Sequence, residues 1–135
     1  MNAAVSWDAA TVSERLDAAL EKAKSDPAAA HVYIKLLETR SRQQVANAAE
    51  NGGPLQGALV SVKALFDVAG EVTTSATTVL KNDPQAKEDA PAIARLDAAG
   101  AVFTGLTNMS EFAYSGLGLN PHYGTPENAL YPGCA

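Results

Sequence analysis

A strand–helix–strand arrangement in the second half of the chain constrains the fold more than any other feature. The run "ALVSVKALFDV" is apolar and β-branched and lies between turn residues at Gly57 and Gly70, which predicts a strand that continues into a loop. The later run "APAIARLDAAGAVFTGLTN" predicts a helix that begins near Pro91 and ends at Gly100, followed by a short strand over 101–105. Two strands separated by a helix at this spacing predict the α/β fold class.

The front of the chain is rich in alanine and is predicted to form two helices. Apolar residues recur at three- and four-residue steps over 11–24, with Ser13 as the N-cap, and Asp26-Pro27 ends this helix. A second helix is predicted over 28–49, and "NGGP" ends it. The apolar face of the second helix consists of Val32, Ile34, Leu36, Leu37 and Val45.

These patterns divide the chain into a helical cap at residues 1–52 and an α/β region at residues 53–135. From Asn108 onward, glycine and proline interrupt the chain repeatedly, which predicts an extended loop region with room for one short helical turn. A long irregular stretch inside a compact domain is often a binding or active-site loop.

Composition excludes several classes of function. The formal charge is −5, from 15 acidic and 10 basic residues without a basic block, so nucleic acid is not an expected partner. No window reaches the roughly 18 apolar residues of a membrane span, and the first residues do not resemble a signal peptide, so a cytoplasmic location is expected. One cysteine, Cys134, and two histidines far apart, His31 and His122, predict no disulfide, no metal site and no cofactor.

Lys63 is the one basic residue inside the apolar run that contains Val62, Leu65 and Phe66. It could extend its ammonium group into solvent along its aliphatic stem, which is the commonest situation for such a residue. It could also be partly buried, because desolvation disfavours the charged form and leaves a neutral amine that accepts a proton. The apolar flanks by themselves permit either interpretation.

Three segments in order resemble the N-terminal part of the amidase signature family. They are "GPLQGALVSVKALFDVAGEVTTSAT", "DAPAIARLDAAGAVFTGLTNMSEFA" and "GLNPHYGTPENAL", and together they cover about residues 53–130. The family pattern has a strand ending in the catalytic lysine, a Thr-Thr pair, a helix ending in Ala-Gly-Ala, a Thr-Asn-Met-x-Glu-Phe loop and an Asn-Pro turn. The resemblance implies part of a mixed-sheet α/β/α sandwich and assigns Lys63 as the catalytic base.

The mechanism that the resemblance implies needs two serines. Family members have a Gly-Gly-Ser-Ser-Gly segment after the Asn-Pro turn and a second serine further on, and neither is present in these 135 residues. The 135-residue chain is therefore expected to be inactive alone, although the family cleaves linear amide C–N bonds by a Ser-cisSer-Lys mechanism. Two alternatives remain: the amidase subunit of a glutamine-hydrolysing tRNA amidotransferase, or a non-catalytic chain that binds a partner.

The loop after the second predicted strand contains the other candidate site residues. The resemblance implies that Phe112, Ala113, Tyr114 and Ser115 line a substrate pocket, and the alternative is that Phe112 and Tyr114 pack beneath the loop. Glu111 could face the substrate, but it is expected instead to accept hydrogen bonds from loop backbone N–H groups. Ser115, like Ser110, is expected to bond nearby backbone, because neither lies in a nucleophile elbow.

Three positions depart from the family pattern. Leu59 stands where a proline is common, Ala64 where an aspartate commonly follows the lysine, and Ala76 where a glycine is usual. The last departure matters only if the backbone at that site needs a positive φ. Trp7 and the two front helices resemble the variable N-terminal cap of the family, which implies a homodimer through these helices, and a small amide is the implied substrate.

Overall fold

The computed structural model describes residues 8–48, 53–131 and 133–134. In these ranges there are three α-helices, α1 (Val12–Ser25), α2 (Glu38–Ala48) and α3 (Pro91–Ala98), and three strands, β1 (Tyr33–Leu36), β2 (Leu59–Lys63) and β3 (Val102–Thr107). Short 3-10 turns occur at Ala9–Thr11, Pro27–Ala29 and Glu111–Ala113. None of the helices in the described ranges is both long enough and apolar enough to cross a bilayer.

The three strands form one mixed sheet with β3 in the centre. β1 pairs with β3 in the antiparallel direction, with Lys35 opposite Leu106. β2 pairs with β3 in the parallel direction, with Leu59 opposite Val102 and Lys63 opposite Thr107. The α/β prediction is confirmed, as are the strands predicted near residues 58–63 and 101–105.

The central strand is buried on both faces because its side chains alternate between two clusters. Val102 packs with Val12, Leu16 and Leu20, which form the apolar stripe of α1. Phe103 packs on the opposite face in a larger cluster that also includes Ile93 of α3. The near-continuous apolar sequence of β3 therefore follows from its position between two layers of packing.

Gly105 is a position at which β1 and β3 approach closely. A Cβ atom built there would lie 2.6 Å from the carbonyl oxygen of Lys35 and 2.8 Å from the ring of Tyr33. Any side chain would force the two strands apart, so glycine is required by the contact between the backbones.

The predicted second helix over 28–49 is wrong. Residues 33–36 form β1 instead, and a helix begins only at Glu38. The segment "VYIKLL" is β-branched and aromatic enough to form a strand, and pairing with β3 satisfies its backbone in a way that a helix would not. The predicted end of that helix at residues 49–52, like Trp7, lies outside the described residues.

The N-cap prediction at Ser13 is also wrong, because the chain enters α1 through a 3-10 turn that begins at Ala9. Asp8 caps this turn by accepting a hydrogen bond from the Ala10 N–H. Arg15 then donates from its Nη2 to the carbonyl oxygens of both Asp8 and Gly57, at 2.8 Å each. The start of α1 is thereby attached to the segment that leads into β2.

Candidate active site

The candidate site lies where the two parallel strands end together. Lys63 and Thr107 are opposite each other at the carboxyl ends of β2 and β3. The Ala64 N–H donates to the Thr107 carbonyl oxygen at 3.2 Å, which keeps the two chain segments together for one residue beyond the sheet. In parallel sheets this edge is the usual position for ligands, because the loops that leave neighbouring strands meet there.

Lys63 is exposed, whereas its neighbours Val62 and Ala64 are 3% and 2% exposed. Strand alternation explains this difference, since residues on either side of Lys63 direct their side chains into the core. Among the residues that the structure describes, Lys63 Nζ makes no hydrogen bond and no ion pair. The apolar sequence around the lysine therefore reflects the buried face of β2, and the amine lies on the other face.

Two loops are joined beside this lysine by backbone hydrogen bonds. The Ser75 N–H donates to the Ala64 carbonyl oxygen, and the Phe112 N–H donates to the Ser75 carbonyl oxygen, both at 3.0 Å. Each loop carries a pair of non-glycine residues in the left-handed region: φ is 49° at Ser75, 54° at Ala76, 53° at Phe112 and 55° at Ala113. Such conformations cost free energy and persist where the surrounding structure enforces them.

Ala76 is a site at which the backbone has a positive φ. The position where the family pattern has glycine does require a positive φ, and here alanine adopts it while fully buried. Its carbonyl oxygen accepts a hydrogen bond from Asn120 Nδ2 at 2.8 Å. The strained conformation is therefore held by packing and by a side chain from the distant loop.

A groove of about 340 Å³ lies over the loop that follows β3. Of the four predicted pocket residues, Phe112, Tyr114 and Ser115 line this groove, and Ala113 does not. Phe112 is 54% and Tyr114 is 95% exposed, so neither ring packs beneath the loop as the alternative interpretation would require.

Glu111 makes different contacts from those expected. Its Oε1 accepts a hydrogen bond from the Thr77 hydroxyl and lies 3.1 Å from His122 Nε2, so it bonds side chains rather than loop backbone N–H groups. The sequence expectation for Glu111 is therefore wrong. The interaction joins the loop after β2 to the loop after β3.

Both candidate loop serines bond backbone, as expected. Ser110 is 5% exposed and its Oγ accepts a hydrogen bond from the Gly118 N–H at 3.1 Å. Ser115 Oγ accepts one from the Leu117 N–H at 3.2 Å. These contacts are typical of serines that stabilise local turns.

Asn120 organises the loop, and the sequence analysis did not single it out. Its Oδ1 accepts hydrogen bonds from the N–H groups of His122 and Tyr123, while Nδ2 donates to the carbonyl oxygens of Ala76 and Met109. One side chain that is 3% exposed thus makes four hydrogen bonds. The Asn-Pro dipeptide was the available signal, because asparagine before proline commonly starts a turn.

A second cluster, away from the candidate lysine, was also missed. Arg40 of α2 donates from Nη1 and Nη2 to the two carboxylate oxygens of Asp89, at 2.7 and 2.6 Å. The guanidinium lies 4.9 Å from the centre of the Phe103 ring. The hydrogen bond from Arg40 holds the pKa of Asp89 below its usual value, and the same bond raises the pKa of Arg40. The pair borders a groove of about 740 Å³ between α2 and α3.

Comparison with known proteins decides the family. The sequence model described as Amidase matches residues 10–134, which is nearly the whole chain. The chain belongs to the amidase family. The fold agrees, since a solved chain from an unexpected vestigial protein complex, described as revealing the evolutionary origins of an s-triazine catabolic enzyme, superposes with a TM-score of 0.84 at 29% identity. That match covers 90% of this chain and 28% of the solved chain.

Curated members of the amidase family match this chain at 32–44% sequence identity. AtzE of Pseudomonas sp. strain ADP, a 1-carboxybiuret hydrolase subunit, is 44% identical over 75 residues, and an amidase of Pseudomonas putida is 38% identical over 106 residues. A glutamyl-tRNA(Gln) amidotransferase subunit of Streptococcus pneumoniae is 32% identical over 123 residues. These matches cover 56%, 75% and 88% of this chain and 16%, 22% and 25% of the relatives. The chain therefore spans a quarter or less of these amidase family members.

Proposed function

We propose that this chain is the N-terminal part of an amidase that hydrolyses linear amide C–N bonds, with Lys63 as the catalytic base. The observation that carries the proposal is the position of Lys63, opposite Thr107 at the carboxyl ends of two parallel strands, in a member of the amidase family. Loops from both strands adjoin this lysine, as expected for a site at the carboxyl ends of parallel strands.

The proposed reaction follows the Ser-cisSer-Lys mechanism of the family. Lys63 accepts a proton from a first serine, which in turn takes the proton of a second serine, the nucleophile. The nucleophile attacks the amide carbonyl, the leaving nitrogen takes up a proton, and water hydrolyses the acyl-enzyme. We place both serines in polypeptide that is not among residues 1–135.

The loop after β3 supplies the proposed substrate pocket. Phe112, Tyr114 and Ser115 line its groove, and Ala113 fixes the direction of the chain between them. The Phe112 N–H bond to the Ser75 carbonyl oxygen supports this assignment, because Ser75 in turn donates to Ala64, the residue that follows Lys63.

A chimera provides the decisive test. The matching N-terminal part of the Pseudomonas putida amidase is replaced by this chain, and amide hydrolysis is measured for the chimera and for its Lys63→Met variant. We expect activity in the chimera and a loss of at least about a hundredfold in Lys63→Met, because general base catalysis typically contributes that much. Lys81→Met, at an exposed loop position, is the matched control and keeps full activity. An active chimera whose Lys63→Met variant is equally active would contradict the proposal.

The isolated 135-residue chain is expected to be inactive, because it offers a base without an acyl acceptor. A panel of simple amides with Lys63→Ala as the control measures this directly. Turnover by the purified chain that disappears in Lys63→Ala would show that the serines are not required.

A second candidate is the amidase subunit of a tRNA amidotransferase. The extent of the match favours it, since the Streptococcus pneumoniae protein matches 88% of this chain and the Pseudomonas putida amidase 75%. Glutamine is included in the substrate panel of the chimera to test this candidate. If glutamine is the one amide of the panel from which ammonia is released, the result favours the amidotransferase subunit over a general amidase.

The proposal also retains an N-terminal cap at residues 1–52, which contains β1 as well as the two helices, a cytoplasmic location and a homodimer formed through the N-terminal helices. The resemblance of the front helices to the family's variable cap supports the dimer. Sedimentation equilibrium of the purified chain tests it, and a monomer at all concentrations would contradict it.

A further inference from the structure

The groove over the loop that follows β3 combines two aromatic rings with a carboxylate that the proposed mechanism does not use. Phe112, Tyr114 and Glu111 all line it. Both rings are largely exposed within residues 1–135, and each is large enough to gain about 2 kcal/mol or more when a ligand or further polypeptide of the proposed enzyme covers it. Exposed rings beside a carboxylate are suited to a ligand that is both apolar and positively charged.

The Glu111 carboxylate, which borders the groove, has one oxygen available for a ligand. Glu111 Oε1 is shared by the Thr77 hydroxyl and the His122 ring, whereas Oε2 has no hydrogen-bond partner among the described residues. No lysine or arginine forms an ion pair with Glu111 in the part of the chain that the structure describes. The His122 ring lies 3.1 Å from Oε1 and forms an ion pair with Glu111 when it is protonated, so Oε2 is the carboxylate oxygen left for a ligand.

Backbone hydrogen bonds fix the course of the chain segment that carries these three side chains before any ligand binds. The Phe112 N–H donates to the Ser75 carbonyl oxygen at 3.0 Å, and the Tyr114 N–H donates to the Glu111 carbonyl oxygen at 3.1 Å. The Thr77 hydroxyl anchors the carboxylate itself. A groove that is ordered in advance loses less conformational entropy when it binds a ligand.

We propose that this groove binds a positively charged group attached to an apolar body, such as a primary ammonium next to an aromatic ring. The cation lies against Glu111 Oε2 and the faces of Phe112 and Tyr114. For the enzyme proposed above, this names the substrate class as amides that carry a cationic group, and to that extent it rests on the proposed function.

Binding is measured on the 135-residue chain by NMR titration of backbone amides with benzylammonium, at about pH 8, where an ordinary imidazole is neutral. Benzyl alcohol and benzoate are the matched neutral and anionic probes. We expect benzylammonium to bind about fivefold more tightly than benzyl alcohol, which corresponds to one half-exposed ion pair with a cation–π contribution. The shifted amides should lie at residues 110–119. Equal affinity for the alcohol, or shifts elsewhere, would overturn the proposal.

Two variants locate the charge. Glu111→Gln keeps an acceptor for the Thr77 hydroxyl and removes the charge, so the fivefold preference should disappear. Glu88→Gln, which removes an equal charge from an exposed position, should retain it. An unchanged preference in Glu111→Gln, in a protein whose spectrum otherwise overlays that of the parent, refutes the assignment.

Tyr114→Leu, at a side chain that is 95% exposed, tests the ring without endangering the fold and should lower affinity about twofold.

This experiment is independent of catalysis. The titration needs no turnover, so a chimera without activity leaves the binding result valid. An active chimera with no preference for benzylammonium would disprove the substrate class and leave the amidase proposal intact.

Discussion

Replacing Asp89 by asparagine should destabilise the fold by about 2–3 kcal/mol. The Asp89 carboxylate accepts two hydrogen bonds from Arg40 and one from the Ala69 N–H, and the Asp89 and Arg40 side chains are 15% and 22% exposed. Exposed ion pairs contribute about 0.2–1 kcal/mol, and breaking a buried one costs about 3–5 kcal/mol, so this partly buried pair falls between these values. Asp97, which lies 3.3 Å from Arg40 Nη2, replaces only part of the charge that Arg40 loses when Asp89 becomes asparagine.

Urea denaturation of the chain near pH 7 measures this cost. Asp83→Asn, at an exposed loop position, is the matched control and should change the free energy of unfolding by less than about 0.5 kcal/mol. A double-mutant cycle with Arg40→Met isolates the pair, and we expect a coupling of about 1.5–2 kcal/mol. A cost for Asp89→Asn no larger than that of the control would refute the reasoning.

The same pair gives a pH dependence whose sign follows from the lowered pKa of Asp89. The contribution is fully present above the unfolded pKa of aspartate, about 3.9, and is lost as the pH falls through the lower folded value. The stability difference between the parent chain and Asp89→Asn should thus be constant from about pH 7 to pH 5 and shrink below about pH 4. A difference that persists unchanged in strong acid would show that the charge of Asp89 is not its source.

Substitutions at three further positions, Gly105, Ala76 and Asn120, test the sheet and the loops by urea denaturation. Gly105→Ala should lower the free energy of unfolding by about 2 kcal/mol or more, because its Cβ would lie 2.6 Å from the Lys35 carbonyl oxygen. Gly116→Ala, where a Cβ would meet no atom within 4 Å, is the control and should cost under about 1 kcal/mol. Equal effects of the two substitutions would contradict the close strand approach. Ala76→Gly should change stability by less than about 1 kcal/mol, because glycine adopts a φ of 54° without strain and this gain offsets the loss of the buried methyl group. Ala76→Val should cost about 2–3 kcal/mol. A valine variant as stable as the parent chain would disprove the strain. Asn120→Ala should cost about 2–4 kcal/mol and accelerate amide exchange at His122 and Tyr123, and unchanged exchange there would argue against its organising role.

Local sequence patterns were sufficient to predict the secondary structure of segments in which every local signal favoured the same element. The β-branched run at 58–63, the proline-started helix over Pro91–Ala98 and the apolar strand that follows a glycine stop were all predicted correctly. The loop predicted after Asn108 does contain one short 3-10 turn, at Glu111–Ala113. In these segments propensity, end signals and burial agree, so the sequence determined their secondary structure.

Only the tertiary structure decided the rest. "VYIKLL" suits a strand or a helix, and pairing with the edge of β3 selected the strand, because hydrogen bonds to a neighbouring strand are absent from local periodicity. The bonds that build the site are equally non-local: Asn120 reaches Ala76 across 44 residues, and Arg40 reaches Asp89 across 49. The positive φ of Ala76 likewise comes from contacts imposed by distant residues rather than from alanine itself, which avoids that conformation. The sequence alone pointed to Lys63 and its loop, and the long-range contacts determined which side chains lie around them.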